Sequence, residues 1–215
     1  MPIKSDREYR SMKLEADKQN ENEFRVSGYA TTFDSPYELW RDKDFILYEQ
    51  VARDAFSGTD MSDVIMQYDH QGRVYARTSN GSLNLSTDEH GLLVDADLSL
   101  TTGSRQLHED IAAGLINKMS FAFTVADDEL VEEEKDDMTI VTRTIKRIGK
   151  LFDVSAVSLP ANDQTVISAR SFGDGVISEI RAERLKAQEI KEARARLALR
   201  LKIGGFEDGN QRDEH

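Results

Sequence analysis

The feature that most limits the fold is a run of 22 residues rich in β-branched side chains, MTIVTRTIKRIGKLFDVSAVSL (138–159). Branching at Cβ restricts side-chain rotamers in a helix and suits the pleated surface of a sheet. The run therefore predicts extended structure, with a break at Gly149 and an end at Pro160, which has no N–H to donate to a sheet. Such a long extended region needs partner strands elsewhere in the chain.

Several shorter segments have the composition or the alternation of strands. Between residues 81 and 100, apolar residues recur at every second position on both sides of the turn sequence DEHG (88–91). This pattern is typical of a β-hairpin with one buried face. Together with the long run, these segments predict a mainly β fold with a few helices. The further predicted strands are 24–33, 64–70 and 118–126.

Two helices and one loop are predicted beside the strands. A short helix covers residues 101–114, where three apolar residues fall on one face. A long helix covers residues 176–202, which are rich in Ala, Glu, Arg, Leu and Lys and contain neither Pro nor Gly. Its apolar residues follow a coiled-coil-like spacing with two charged exceptions. Residues 127–137 contain eight acids and are predicted to form a solvated turn or a flexible loop.

These elements divide the chain into three parts. Residues 1–21 are predicted to form a flexible N-terminal segment, and residues 22–170 an α+β domain built on an antiparallel β-barrel or sheet. Residues 171–215 are predicted to form a helical tail. It begins with a hinge at SFGDG (171–175), continues as the long charged helix and ends in a disordered segment, GGFEDGNQRDEH (204–215).

The charge distribution limits the possible partners. The net charge is −12, and residues 171–215 hold nine basic and nine acidic residues, so the first 170 residues carry the whole excess. A nucleic-acid partner is disfavoured because phosphate contacts need excess Lys and Arg. The chain has no Cys, which excludes a disulfide framework. Without a secretory signal or a run of about 18 apolar residues, a soluble intracellular protein without a membrane partner is predicted.

A catalytic hypothesis rests on three polar residues in predicted strands. Ser120 is the one hydroxyl in NKMSFAF (117–123), and His70 ends the strand-like run in MQYDHQG (66–72). A serine becomes a nucleophile when a base accepts its proton and a third group orients that base. Asp153 lies within an otherwise apolar strand, where a buried carboxylate needs a partner. His70 could be both the base for Ser120 and the partner of Asp153.

Each of the three residues also has a simpler interpretation. His70 can be a surface residue beside a turn, Ser120 a strand residue that hydrogen-bonds the backbone, and Asp153 an acid that faces solvent from an edge strand. The remaining His residues lie in a hairpin turn, on the polar face of the short helix and at the C-terminus. They are His90, His108 and His215. The residues alone leave both interpretations open.

Five stretches, taken in order, resemble the tailed-phage prohead proteases, which are capsid maturation enzymes grouped with the herpesvirus assemblin-type serine peptidases. The similarity spans about residues 24–167 and depends on the order and spacing of the pieces. The pieces are VSGYATTFDSP near the start, EQVARDAF (49–56), QYDHQG (67–72), the segment from LNLST to MSFAF (83–123) and LFDVSAVSLPANDQTVI (151–167).

The resemblance implies a serine endopeptidase with a β-barrel of herpesvirus-protease type. In the family pattern, the base is the His of the Asp-His pair, which is His70 here. The nucleophile follows the short helix and is Ser120, and the orienting residue opens the last strand motif and is Asp153. No metal ion or other cofactor is implied.

The resemblance also implies substrates and a location. The family cleaves segments of the major capsid protein and its scaffold, and then itself, inside the immature capsid (prohead) in the host cytoplasm. Self-association is expected by analogy with the herpesvirus enzymes. The helix at 176–202, with eight basic and four acidic residues, could bind a scaffold or capsid helix, pack on the barrel or self-associate.

Two other functions are compatible with the sequence. The first is a catalytically idle assembly or scaffolding protein that acts through its C-terminal helix. The second is a cellular hydrolase on an unrelated barrel, which predicts a small-molecule pocket instead of an extended groove.

Overall fold

A computed structural model of the chain describes residues 7–13, 15–16, 24–158 and 163–207. Within these residues it contains eleven β-strands and two α-helices, which confirms the prediction of a mainly β fold with a few helices. The strands are β1 (Glu8–Lys13), β2 (Glu15–Ala16), β3 (Arg25–Thr32), β4 (Tyr37–Asp42), β5 (Phe45–Val51), β6 (Ile65–Tyr68), β7 (Gln71–Arg77), β8 (Leu83–Thr87), β9 (Gly91–Asp97), β10 (Lys118–Lys135) and β11 (Met138–Val157). The helices are α1 (Thr102–Ala112) and α2 (Asp163–Glu207).

β11 is the central strand of the larger sheet. This seven-stranded sheet has the order β1-β10-β11-β5-β4, and β6 and β7 extend it beside the second half of β11. β10 lies antiparallel to β11. β5 and β6 both lie parallel to it, β5 along residues 139–145 and β6 along residues 153–156. The smaller sheet has the order β2-β3-β9-β8 and is antiparallel.

The prediction of an antiparallel β-barrel is wrong. Among the described residues neither sheet closes on itself, and two pairings of β11 are parallel. Strand length explains the difference, because the 20 residues of β11 can take two neighbours in succession along one edge. Apolar alternation indicates the buried face of a strand but not the direction of its neighbour, so the sequence pattern could not distinguish these arrangements.

The acidic segment 127–137 is not the predicted loop, because it forms the end of the β10–β11 hairpin. Only Asp136 and Asp137 form the turn, and both have left-handed φ angles, 52° and 61°. Two consecutive left-handed residues are typical of a type I′ hairpin turn. Basic residues on β11 compensate part of the acidic charge, as where Arg143 binds Asp128 at 2.8 Å.

β11 also continues through Gly149, where the sequence predicted a break. Thr124 pairs with Lys150, but Val125 pairs with Ile148, so Gly149 has no partner in the register. The glycine therefore marks a β-bulge, which locally increases the twist of the strand without ending it.

The N-terminal segment differs from its prediction as well. The sequence predicts that residues 1–21 are flexible, but β1 pairs with β10 from Glu8↔Phe123 to Lys13↔Lys118, and β2 joins the smaller sheet. The composition of β1, EYRSMK, is too polar to indicate a strand. Its position depends on ionic contacts that sequence patterns do not show.

A buried ion cluster attaches β1 to the middle of the larger sheet. The Arg10 guanidinium on β1 donates to both carboxylate oxygens of Glu49 on β5, at 2.5 and 2.7 Å. Arg143 on β11 donates to the same carboxylate at 2.9 Å, and the Tyr37 hydroxyl on β4 also donates to it. Glu49 is fully buried. Because a buried carboxylate without a counter-charge is costly, this cluster helps to fix which strands lie together.

The pKa values in the cluster reflect a competition between burial and pairing. Burial alone would raise the pKa of Glu49, but the charge and hydrogen bonds of Arg10, helped by Arg143 and Tyr37, bring it below its ordinary value. A lowered carboxyl pKa stabilises the fold above the unfolded pKa, about 4.3 for Glu. That contribution is lost as the pH falls through the folded pKa, so the cluster weakens under acidic conditions.

One apolar core joins the two sheets and α1. It contains fully buried side chains from β10, β9 and β3, including Phe121, Leu92 and Val26, together with Leu107 from α1. α1 matches the predicted short helix, and the Thr101 hydroxyl caps its start by accepting from the backbone N–H of Ser104. The core therefore holds α1 against the strands.

α2 is longer than the predicted helix and passes through residues 171–175, so the predicted hinge is helical. The two glycines there cost about 1 kcal/mol each relative to Ala, and strong helix formers follow them. Helix continues to Glu207, and residues 208–215 of the predicted disordered end lie outside the described residues.

By internal contacts the chain divides into two compact units, residues 1–173 and 174–215. None of the described helices is both long and apolar enough to cross a membrane.

Replacing Glu49 by Ala is expected to lower the free energy of unfolding by about 3 kcal/mol or more. Arg10 would lose the carboxylate that binds it twice, and Arg143 would lose one of its three acidic partners. Urea unfolding followed by circular dichroism measures the change. The matched control is Glu38→Ala, which removes an exposed carboxylate paired with Arg41 and should change stability little. Equal stability of the two variants would contradict the role of the cluster.

Candidate active site

The nucleophile predicted from the sequence, Ser120, lies in the middle of the larger sheet. Its neighbours in register are Ser11 on β1 and Ser155 on β11. Ser120 is 2% exposed, and the adjoining Met119 and Phe121 are fully buried. A hydroxyl in such surroundings needs a hydrogen-bond partner within the protein.

His70 lies in the turn between β6 and β7. Asp69 and His70 both have left-handed φ angles, 49° and 59°, and Tyr68 pairs with Gln71 across the turn. Asp and His adopt this conformation more readily than most non-glycine residues, and two in succession match a type I′ turn. The turn directs the His70 imidazole towards β10 and β11, where its two nitrogens find partners.

Asp69 ties this turn to the end of β11. Its backbone N–H donates to the Ala156 carbonyl at 2.9 Å, and its carboxylate accepts from the Ser158 N–H at 3.0 Å. The Ser158 hydroxyl also donates to this carboxylate. Together with the parallel pairing of β6 and β11, these bonds hold His70 at a fixed position beside Asp153.

Asp153 follows a second bulge in β11. Ala122 pairs with Asp153 and Phe123 with Leu151, so Phe152 has no partner in the register. The Asp153 residue is 3% exposed, and its carboxylate accepts from the Ser155 hydroxyl at 2.8 Å. A buried carboxylate with one such donor still has capacity to accept further hydrogen bonds.

The structure brings the three sequence-predicted residues together in one hydrogen-bonded chain. His70 Nδ1 lies 2.6 Å from Asp153 Oδ1, and His70 Nε2 lies 2.7 Å from Ser120 Oγ. An ionised carboxylate can only accept, so opposite such a group a neutral imidazole carries its proton on Nδ1 and accepts from the Ser120 hydroxyl at Nε2. This is the geometry in which an imidazole can remove the proton of a serine and be oriented by an acid.

Sequence reasoning missed two residues that contact this chain. Ser155 binds Asp153, and its only sequence signal is its place two residues later in the same strand. Tyr9 packs edge-on against the His70 ring, with 4.6 Å between ring centroids. Tyr9 was missed because it lies in the segment that the sequence predicts to be flexible.

The other histidines considered in the sequence analysis do not join this hydrogen-bonded chain in the described part of the structure. His90 is in the β8–β9 turn, where its backbone N–H donates to the Asp88 carboxylate. His108 packs against Phe24, and its buried Nε2 has no hydrogen-bond partner among the described residues. The prediction that His108 lies on the polar face of α1 is therefore only partly right, because one nitrogen of its ring is buried. Residues 159–162, within the stretch 151–167 that carries the family resemblance, lie outside the described residues. Within the described part of the chain, no cluster of His, Asp or Glu could hold a metal ion.

The sequence of this chain matches a known protein family over most of its length. A family model described as caudovirus prohead serine protease matches residues 10–175, which is most of the chain and includes Ser120, His70 and Asp153. The chain belongs to this family. The predicted membership in the prohead proteases is thereby confirmed, whereas the relationship to the herpesvirus enzymes stays a prediction.

One curated relative shows how far the similarity extends. The prohead protease of Enterobacteria phage HK97 is 34% identical over 96 residues, which are 43% of this chain and 39% of that protein. The match therefore covers less than half of the phage protease. No solved structure matches the chain significantly.

The hydrogen-bond chain predicts the tautomer of this family member's His70. In ¹⁵N NMR spectra of labelled protein, neutral His70 should carry its proton on Nδ1. Asp153→Asn should shift the ring towards the Nε2–H form, because the amide N–H₂ can donate to Nδ1. His90, in an exposed turn, is the internal control and should not change. Protonation of Nε2 in the unsubstituted protein would contradict the geometry.

Proposed function

We propose that this chain is a serine endopeptidase in which Ser120 is the nucleophile, His70 the general base and Asp153 the orienting acid. The single observation that supports the proposal most is the unbroken chain of two hydrogen bonds, 2.7 Å from Ser120 to His70 and 2.6 Å from His70 to Asp153. Family membership supports the same chemistry, since the matching family is one of serine proteases.

The proposed reaction follows the general course of serine proteolysis. Ser120 Oγ attacks the carbonyl carbon of the peptide bond while His70 Nε2 takes the hydroxyl proton. The tetrahedral intermediate then collapses, the C–N bond breaks, and His70 gives the proton to the leaving amine. Water, deprotonated by His70, attacks the acyl-enzyme ester. The bond from the carbonyl carbon to Ser120 Oγ then breaks, His70 returns the proton to Oγ, and the acid product leaves. Asp153 accepts the hydrogen bond from His70 Nδ1–H throughout the reaction and stabilises the imidazolium.

Burial of the three residues supports this role physically. The side chains of His70 and Asp153 are 5% and 4% exposed, and residue Ser120 is 2% exposed. Hydrogen bonds and charge interactions are stronger in such surroundings than in water. The imidazolium that forms during the attack therefore gains more from Asp153 than it would on an exposed surface.

The proposed substrates are segments of the major capsid protein and its scaffold, and the enzyme itself, cleaved inside the immature capsid in the host cytoplasm. The support is the name of the family and of the HK97 relative, both of which are prohead proteases.

For α2 we propose that residues 176–202, with eight basic and four acidic residues, bind a scaffold or capsid helix. Exposed Leu185, Ile190 and Leu197 on this helix suit such contacts or self-association.

Co-expression with the cognate capsid protein tests the proposal. Mass spectrometry of the capsid protein should show a shortened chain with the unsubstituted enzyme and a full-length chain with Ser120→Ala. Ser57→Ala, an exposed serine elsewhere on the domain, is the matched control and should cleave normally. A full-length capsid protein with the unsubstituted enzyme would favour a catalytically idle assembly protein instead.

Ser155 is expected to act as a positioning residue for Asp153. Ser155→Ala removes the hydroxyl donor at 2.8 Å and should lower kcat about tenfold with a smaller effect on KM, because hydrogen bonds to charged groups are worth roughly 1.5–3 kcal/mol. Ser155→Thr keeps the hydroxyl and should restore most of the rate. The measurement is the steady-state rate of capsid-protein cleavage. A Thr variant as slow as the Ala variant would indicate a packing role for Ser155.

A further inference from the structure

β1 lies along the strand that carries the proposed nucleophile. It pairs antiparallel with β10 over all six of its residues, and Ser11 lies opposite Ser120 in this register. In the order β1-β10-β11, β1 occupies one edge of β10 and β11 occupies the other. Both edges of the nucleophile strand are therefore filled at Ser120.

The site is closed in this arrangement. Ser120, Asp153 and the His70 side chain are buried, and the Tyr9 ring of β1 packs edge-on against the His70 ring. Attack on a peptide bond requires the carbonyl carbon to come within about 3–3.5 Å of Ser120 Oγ. Because a buried hydroxyl offers a protein chain no such approach, part of the structure must move before a protein substrate can react.

Among the described strands around the site, β1 is the one that can leave with the hydrogen-bonded chain intact. β11 carries Asp153 and Ser155, and the turn between β6 and β7 carries His70. Displacement of either element would break a bond of the chain. The bonds that join Ser120, His70, Asp153 and Ser155 involve no atom of β1. The geometry suited to proton transfer therefore does not depend on a bond from β1.

β1 is attached by charges more than by apolar packing. The Arg10 guanidinium binds Glu49 on β5, and the Glu8 carboxylate accepts from Arg143 on β11 at 2.7 and 2.9 Å. No described side chain of β1 belongs to the apolar core that joins the two sheets. Elements with few buried apolar contacts are the ones that open locally while the rest of a protein stays folded. β1 can thus separate while the core remains packed.

We infer that β1 is an autoinhibitory strand. While it is paired with β10 it closes the site and holds Tyr9 against His70, and its separation from β10 gives a protein substrate access to Ser120. This inference rests on the proposed protease function, because it describes the regulation of the same site. Only the open fraction of the molecules can bind substrate, so the rate of cleavage at low substrate concentration is proportional to that fraction.

A disulfide between β1 and β10 tests the inference in the full-length chain. Lys13 and Lys118 are partners at the end of the pairing, and directly opposite residues have Cα atoms about 4.5–5.5 Å apart, which a disulfide spans. The chain has no Cys, so the double variant Lys13→Cys/Lys118→Cys can form a single intramolecular bridge. Mass measurement of the variant shows that the bridge has formed.

The oxidised double variant should cleave capsid protein about tenfold more slowly than the same variant reduced with dithiothreitol, because the bridge removes the open state. The control is Lys118→Cys alone, which has no partner for an intramolecular bridge. It should cleave at the same rate with and without the reductant. Equal, measurable cleavage by the oxidised and reduced double variant would overturn the inference.

Replacing Tyr9 distinguishes a cover from a support for His70. Tyr9→Ala removes the ring that contacts the imidazole and should raise the rate of capsid-protein cleavage about fivefold, as expected when the closed state loses one aromatic contact. Tyr9→Phe keeps the ring and should cleave at the unsubstituted rate. Slower cleavage by the Ala variant would show that Tyr9 supports the imidazole, which contradicts autoinhibition by this strand.

The accessibility of His70 can also be measured without catalysis. Diethyl pyrocarbonate modifies accessible imidazole nitrogens, and peptide mapping by mass spectrometry gives the rate at each histidine. In the double variant that also carries Ser120→Ala, His70 should react about tenfold faster after reduction and desalting, because the open state exposes its ring. His90, in an exposed turn, is the internal control and should react equally in both forms.

The outcomes separate this inference from the proposed function. Equal reactivity of His70 in the oxidised and reduced forms would overturn the autoinhibitory strand even if the enzyme cleaves capsid protein. Protection of His70 that is lost on reduction supports the inference. If the reduced chain with Ser120 leaves capsid protein intact while the disulfide still protects His70, the proposed catalysis fails and β1 remains the cover of the site.

Discussion

Strand β11 meets three neighbours along its 20 residues, and the rest of the structure depends on these pairings. β10 pairs with it antiparallel and places Ser120 opposite Ser155. β6 lies parallel to its second half and brings the turn at His70 to the end where Asp153 lies. A slip of one residue in either pairing would move the side chains to the opposite face of the sheet. The hydrogen-bonded chain therefore requires both registers at once.

Glu49 and Asp153 are buried carboxylates of the same sheet, and the protein compensates them in different ways. Glu49 is bound by two arginines, which remain charged at all ordinary pH values, so its role is to hold strands together. Among the described residues, Asp153 is bound only by the neutral hydroxyl of Ser155 and by His70. Its charge is thus left to act on the imidazole. The arginines at Glu49 keep their charge, so that cluster is structural. His70 at Asp153 can gain and lose a proton, so that site is suited to proton transfer.

The sequence allowed the hairpin at 88–91, the short helix α1 and the three polar residues of the site to be predicted, because each has a local signal. The distances between Ser120, His70 and Asp153 had no such signal, since they depend on turn geometry and on parallel pairing. The acidic segment 127–137 was misjudged because cross-strand Arg and Lys side chains compensate its charge. In both cases the deciding contacts are far apart in the sequence.

β1 connects the ion cluster to the site, although its sequence does not look like a strand. Tyr9 and Arg10 are consecutive, and consecutive side chains of a strand point to opposite faces. Arg10 binds Glu49 on one face, while Tyr9 contacts the His70 ring on the other. The energy of the buried ion pair therefore also holds an aromatic ring against the imidazole. A strand that carries so little apolar surface can be part of the site because its neighbours supply the charges that fix it.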